Sequence, residues 1–120
     1  LLEDNNLGWQ ALTLQIDDAS ALLTLEIDGE SQSLAVGLDD LHRISPVVLP
    51  GYYPFEPPFV TSVALTGSWV WDACFEIYWR DLLGAENWRV ELTFYDHELR
   101  VIAMESVQGL GFRIMGTPRS

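Results

Sequence analysis

The side chains that usually carry enzyme chemistry are scarce in this chain of 120 residues. It contains no lysine, because its six basic residues are all arginine, and its other candidates are two histidines and one cysteine, Cys74. A Ser-x-x-Lys nucleophile, a Schiff base and a phosphate-binding P-loop each require a lysine, so these three devices are excluded. What remains is chemistry based on histidine, cysteine or carboxylates.

The two histidines lie in predicted turns beside acidic residues. His42 follows two aspartates, and His97 stands between Asp96 and Glu98. A solvated turn histidine explains this setting better than a Ser-His-Asp triad, and a metal site would need further ligands at a recognisable spacing. We therefore predict no catalytic residue, no metal site and no cofactor in this chain.

The cysteine and the carboxylates also have ordinary structural explanations. Cys74 lies within an alternating segment, where a small buried side chain is more common than a reactive thiol. Asp17, Asp18, Asp28 and Glu30 flank predicted turns, and turn chemistry explains them better than calcium binding. No pair among the acids stands out as a glycosidase pair.

The charge balance limits the classes of partner. Eighteen acids against six arginines give a formal net charge of -12. Such a surface repels phosphate backbones and anionic lipids, so we predict neither a nucleic-acid nor a membrane partner. A lone Cys74 forms no internal disulfide, so the compartment stays open between periplasm, extracellular space and cytoplasm.

The apolar residues alternate with polar ones along most of the chain, which predicts an all-β protein. Asp28-Gly29 indicates a tight type I′ hairpin, and the other links between consecutive strands are mostly short. We predict eight strands, near residues 11–16, 23–27, 33–38, 63–69, 75–79, 88–94, 99–103 and 112–114, with a weaker ninth at 46–49. Short links between neighbours predict an antiparallel up-and-down meander.

A sheet of this size must hide its edges. Eight or nine strands in 120 residues either close into a barrel or form two packed sheets. We predict one domain, residues 1–120, that forms a lipocalin-like barrel, with a two-sheet β-sandwich as the alternative. Because the chain begins at Leu1 and has a short polar lead, we expect a domain excised from a longer chain.

Tryptophans on the predicted inner face are the candidates for ligand binding. Trp69, Trp79 and Trp88 fall in three successive alternating segments, where they would line a cavity or, more commonly, fill the core.

A second group of residues predicts an interface. Five of the six prolines lie between residues 46 and 58 among aromatic residues, which predicts a long ordered connection. Some later strands carry apolar residues on both faces, which indicates that both faces are covered. We call the second of these faces the outer patch, and it comprises Cys74, Tyr78, Ile102, Met104 and Met115. The predicted interface residues are Tyr52, Tyr53, Phe55, Tyr78, Ile102 and Met104.

The order of these segments resembles a known domain. An Asp-Gly hairpin precedes a crossing rich in proline and aromatic residues, then Gly-x-Trp, Phe-Glu-Ile-x-Trp and Val-x-Leu-x-Phe follow. This order resembles the C-terminal lipocalin-like domain of bacterial β-lactamase-family, penicillin-binding-protein-like serine hydrolases. The matching positions are Gly67, Trp69, Phe75, Glu76, Ile77, Trp79, Leu92 and Phe94.

The chain departs from that family at two turns. Residues 95–98 read Tyr-Asp-His-Glu where the family often has Phe-Asp-Gly-Asp, and Trp71 stands where a polar turn residue is expected. The resemblance implies a non-catalytic accessory domain, because the family's Ser-x-x-Lys nucleophile lies in a separate catalytic domain. Its implied partner is the catalytic domain of the same parent chain or a second subunit.

Two other classes of function stay open at this point. One is a stand-alone module that holds a small apolar ligand within the barrel. The other is a small acidic immunity-type protein whose charge opposes a basic partner. An enzyme in its own right is the last alternative, because nothing above assembles a catalytic device.

Overall fold

The structure is a computed structural model, and it describes residues 1–3, 8–27, 29–49, 59–82, 87–105 and 111–117. All of its regular structure is β-strand, as predicted, and the weak strand near residues 46–49 is present. The strands are β1 (Trp9–Ile16), β2 (Ser20–Ile27), β3 (Glu30–Gly37), β4 (Arg43–Leu49), β5 (Phe59–Trp71), β6 (Cys74–Asp81), β7 (Asn87–Phe94), β8 (Leu99–Glu105) and β9 (Gly111–Gly116).

All nine strands belong to one sheet, which curls into a nearly closed barrel. The order is β1-β2-β3-β5-β6-β7-β8-β9, and β4 pairs with β5 beside this path. Every ladder is antiparallel except one parallel bridge between Gly37 and Thr66. The predicted meander and barrel are therefore confirmed, with β4 as the departure from strict sequential order.

The two end strands, β1 and β9, are connected through the first residues of the chain. Leu2 forms an isolated antiparallel bridge with Gly116 of β9. Its backbone N–H donates to the carbonyl of Gln10 in β1 at 2.9 Å. The described residues show no β1–β9 ladder, so residues 1–3 close this seam locally and leave the rest of it unsealed.

The core is the set of inward-facing apolar side chains. Burial of such side chains is the main favourable term in folding, at about 25 cal/mol for each Å² removed from water. Thr61 and Ser45 are also buried on the inner faces. The side chains with no solvent exposure are Leu25, Leu34, Val36, Val63, Leu65, Phe75, Ile77, Leu92 and Val101.

A bulge in β1 explains how Trp9 joins this core. Trp9 pairs with Ile27 and Leu12 pairs with Leu25, so β1 has one more residue than β2 across this interval. One extra residue reverses which face the following side chains occupy. Trp9 and Leu14 therefore both face inward although their numbers differ in parity.

Strands β3 and β4 lie side by side without a backbone ladder. The side chain of Gln32 donates to the carbonyl of Val48 at 2.7 Å and accepts from the N–H of Val48 at 2.5 Å. The Ser45 hydroxyl accepts from the N–H of Ala35 at 3.2 Å. We call this junction the side-chain seam, since side chains supply the hydrogen bonds that a ladder would otherwise provide.

Parts of the predicted organisation lie outside the described residues. These are the connection with Tyr52, Tyr53 and Phe55, and Asp28 of the β2–β3 hairpin. Gly29 of that hairpin has φ of 85°, the conformation that its turn position requires. Within the described ranges, no helix has the length and apolar character needed to cross a bilayer.

Replacement of Gly67 by alanine tests the packing of β5 on the core. An added Cβ would lie 2.8 Å from the Phe75 ring and 2.9 Å from Cγ1 of Val36, both of which are fully buried. We expect Gly67→Ala to lower the free energy of unfolding by roughly 1–3 kcal/mol in urea denaturation. The control is Gly111→Ala, whose Cβ would meet no atom closer than 3.8 Å. Equal stability of the two variants would contradict this packing.

Removal of the Gln32 amide tests the side-chain seam. Gln32→Leu deprives both backbone groups of Val48 of their partner, so we expect a loss of about 2 kcal/mol in the free energy of unfolding. Ser33→Ala on the same strand removes an exposed hydrogen bond to Thr24, and we expect a change within about 0.5 kcal/mol. If Gln32→Leu and Ser33→Ala change the free energy of unfolding equally in chemical denaturation, the side-chain seam does not depend on Gln32.

Candidate functional site

The three candidate tryptophans do not form one site. Trp79 and Trp88 are paired directly across β6 and β7, whereas Trp69 pairs with Phe75 nearer the other end of β6. Trp79 comes four positions after Phe75, which is about 13 Å along a strand. The structure therefore assembles Trp79 with Trp88 and leaves Trp69 elsewhere.

The Trp79 end of the barrel is packed with stacked rings. The centroids of Trp9 and Trp79 lie 6.0 Å apart, and those of Trp88 and Phe112 lie 5.9 Å apart. Trp9 and Trp79 are both buried and belong to the core cluster. This arrangement favours the core-filling role of Trp79 over that of a ligand platform.

Two carboxylates also face inward near that end. Asp81 accepts a hydrogen bond from the Thr61 hydroxyl at 2.7 Å. Glu105, which is in register with Trp88, is only 3% exposed. Glu105 continues the inward series of Leu99, Val101 and Ala103, but it was not among the residues predicted from the sequence.

The histidines and the cysteine lie apart from one another. His42 and His97 are exposed, and Cys74 is buried in register with Thr93 on the outer face. The part of the chain that the structure describes contains no cluster of three or more histidine, cysteine, aspartate or glutamate residues that could hold a metal ion.

The outer patch is mixed in character. Tyr78 is exposed, whereas Ile102 and Met104 are half-buried. Arg89 separates Tyr78 from Met104 in the ladder, and its guanidinium lies 3.7 Å from the Met104 sulfur and 3.9 Å from Glu91. Charged side chains thus interrupt the apolar ones, and the outer patch is not a continuous apolar surface.

An open groove of about 300 Å³ lies beside Tyr78. Thr66 and Tyr78 are in register, so their side chains lie on the same outer face of β5 and β6. The groove is lined by His42, Thr66, Tyr78, Trp79, Arg80, Asn87 and Trp88.

Among the described residues, a group of exposed aromatic and apolar side chains lies at the other end of the barrel. Trp69, Val70 and Trp71 end β5, Phe94 ends β7, and Tyr95 follows it. These five residues are between 37% and 54% exposed. We call these five residues the aromatic tip. Within it, the Trp69 ring lies 6.2 Å from the Phe94 ring, whereas Trp71 pairs with Cys74 on the outer face after an irregularity in β5.

Strand lengths explain why the aromatic tip is exposed. Strand β3 ends at Gly37, which is bridged to Thr66, so β5 continues for five residues beyond that bridge. The N–H of Phe94 donates to the carbonyl of Ala73 at 2.8 Å, which ties the β7 end to the β5–β6 turn. The hairpin therefore projects past β3 and carries its apolar side chains into solvent.

The charges around the aromatic tip are mainly negative. Asp72 lies in the β5–β6 turn, and Asp96 and Glu98 lie in the β7–β8 turn, all exposed. The positive exception is Arg100, whose guanidinium carbon lies 5.9 Å from the Tyr95 ring centroid in a cation–π contact.

Most of the aromatic tip was not predicted from the sequence as a surface. Trp69 was identified as an inward ligand candidate, and Trp71 only as a departure from a family pattern. The available signal was the run Trp69, Val70 and Trp71, because successive strand residues point to opposite faces and three apolar residues cannot all enter the core.

Comparison with known proteins gave no match: no family model fits the chain, and no curated protein or solved structure is significantly similar to it. The resemblance to an accessory domain of serine hydrolases therefore stays a prediction.

The environment of Tyr78 gives a testable titration. The hydrogen bond to the Glu76 carboxylate, followed by the negative charge of Glu76, raises the pKa of Tyr78 above 10.0. This contribution to stability is present below the pKa of the unfolded chain and is lost as the pH rises through the folded pKa. We expect Glu76→Gln to lower the pKa of Tyr78 in a ¹³C NMR titration.

The matched control for this titration is Glu91→Gln. Glu91 is the cross-strand partner of Glu76, but it is not among the groups that shift Tyr78. We expect Glu91→Gln to leave the Tyr78 titration unchanged. A Tyr78 pKa that is the same in Glu76→Gln as in the parent sequence would contradict the hydrogen bond.

Proposed function

We propose that this chain is a non-catalytic accessory domain that docks on a neighbouring domain or subunit through the aromatic tip. In line with the family resemblance, the neighbour is the catalytic domain of a β-lactamase-family serine hydrolase in the same parent chain. The domain would position that neighbour or shape access to its cleft, and the chemistry would belong to the neighbour.

The observation that carries this proposal is that Trp69, Val70, Trp71, Phe94 and Tyr95 are all exposed at one end of the barrel. Large aromatic side chains that cluster on a surface are typical of protein interfaces. Covering each half-exposed side chain would contribute roughly 1 kcal/mol from removal of apolar area. Five such side chains supply a useful part of the energy of a stable domain contact.

The barrel interior supports this proposal over a small-ligand module. Trp79, a candidate ligand residue, is buried against Trp9. Trp69 lies near the other end of the barrel and contributes to the aromatic tip. The candidate tryptophans therefore support packing and docking more than a shared ligand platform.

The complete reading frame of the parent gene is the first test. A Ser-x-x-Lys hydrolase domain encoded in the same frame would support the serine-hydrolase assignment. A frame that encodes this domain with no hydrolase domain would refute that assignment and leave docking to be tested separately.

Substitution of Trp71 tests docking in the full parent chain. Because about half of Trp71 is already covered within this domain, Trp71→Ser should lower its free energy of unfolding by roughly 1 kcal/mol, and this effect is measured first in the isolated domain. If the side chain is buried in the parent, the variant should increase hydrogen exchange of residues 68–73 there.

Leu41→Ser is the control, because Leu41 is also a large apolar residue, is 63% exposed against 54% for Trp71, and lies in the β3–β4 connection. It should leave hydrogen exchange at the aromatic tip unchanged in the parent chain. If Trp71→Ser behaves like Leu41→Ser, the aromatic tip is not the docking surface.

A further inference from the structure

We infer that the aromatic tip takes a partner surface with an apolar centre and with arginine or lysine at its rim, and not a second copy of this chain. This inference rests on the proposed function, because it identifies the chemistry of the partner at the same surface. It favours a heterologous contact, as with another domain of the parent chain, over self-association.

Three carboxylates lie beside the residues of the aromatic tip. Asp72 follows Trp71 directly, and Asp96 and Glu98 follow Tyr95 in the adjacent turn. None of these three carboxylates forms an ion pair with any residue in the described ranges. A partner that covers the aromatic tip would therefore meet three negative groups at its edge, and cations there would complement them.

The exposed aromatic rings of the tip can themselves attract cations. Aromatic faces attract guanidinium and ammonium groups, and tryptophan does so most strongly. The chain already contains one such contact, since Arg100 lies over Tyr95. Trp69 and Trp71 offer further rings that are about half exposed. Arginine in particular matches this surface, because its planar group stacks on rings and pairs with carboxylates.

The same charges disfavour the other occupants. A symmetric contact between two copies would bring two sets of Asp72, Asp96 and Glu98 together, and like charges at an interface oppose association. An anionic lipid surface would meet both these carboxylates and a net charge of -12. A basic, partly apolar protein surface has neither conflict.

The test is a titration of the 120-residue chain with two blocked hexapeptides, one alternating arginine and leucine and the other alternating glutamate and leucine. Indole ¹H–¹⁵N NMR signals report on the tryptophans. We expect the arginine peptide to shift the signals of Trp69 and Trp71, and the glutamate peptide to shift neither. Raising the salt concentration should weaken the arginine complex, because exposed charges are screened.

Two matched triple variants separate local recognition from overall charge. The first variant combines Asp72→Asn, Asp96→Asn and Glu98→Gln. It should weaken arginine-peptide binding about tenfold, since each exposed ion pair between a carboxylate and a peptide arginine contributes roughly a factor of two. The second variant, which combines Asp17→Asn, Asp18→Asn and Glu30→Gln, removes the same charge from the β1–β2 turn and the start of β3. This control should change binding less than about twofold, because those residues are not part of the aromatic tip.

Three outcomes would overturn the inference. The first is that the two triple variants weaken binding of the arginine peptide equally. The second is that the glutamate peptide binds at the aromatic tip. The third is that the chain sediments as a dimer at low salt and that Trp71→Ser makes it monomeric. The proposed function fails separately, when Trp71→Ser leaves hydrogen exchange at the tip of the parent chain unchanged. If the aromatic tip docks in the parent chain but removal of its three carboxylates leaves arginine-peptide binding unchanged, only the inference is refuted.

Discussion

The shared interior of the barrel is the constraint on which every strand pair depends. Because strand side chains alternate between two faces, a shift of one residue in any ladder would turn its apolar side chains toward solvent. The register shows this across the sheet: Gly67, Ile77, Val90, Ala103 and Phe112 stand opposite one another from β5 to β9. Gly67 occupies a place in this row where no side chain fits, because the Phe75 ring fills the space.

The alternation was enough to predict an all-β meander, but not its irregular positions. The bulge that brings Trp9 inward depends on pairing with β2, and periodicity within β1 alone does not reveal it. The lack of a ladder between β3 and β4, with Gly37 of β3 bridged to Thr66 of β5 instead, depends on how the strands pack together, which the pattern within each strand does not reveal. Local pattern thus predicted the strands, whereas contacts distant in sequence determined these two features.

The candidate site was predicted less well for a related reason. Trp69 and Trp79 were grouped because both lie on an inward face, but the inward face of a long hairpin extends beyond the barrel. Only the bridge of Gly37 to Thr66 shows where β5 leaves its neighbour and where an inward residue becomes exposed. Phe94 and Tyr95 join the surface through the contact with Ala73 across the sheet. Exposure at the aromatic tip is therefore a property of relative strand length.

The side-chain seam has a mechanical consequence for the whole barrel. Strands β1 to β3 form one continuous antiparallel unit, and β4 to β9 form another. Along the two margins where these units meet, the Gln32 and Ser45 contacts, the Gly37 bridge and residues 1–3 replace an extended ladder. A pulling force across the barrel would load these few bonds before it loaded any full ladder. The molecule would then part into two intact sheets, with the short β3–β4 connection as their hinge.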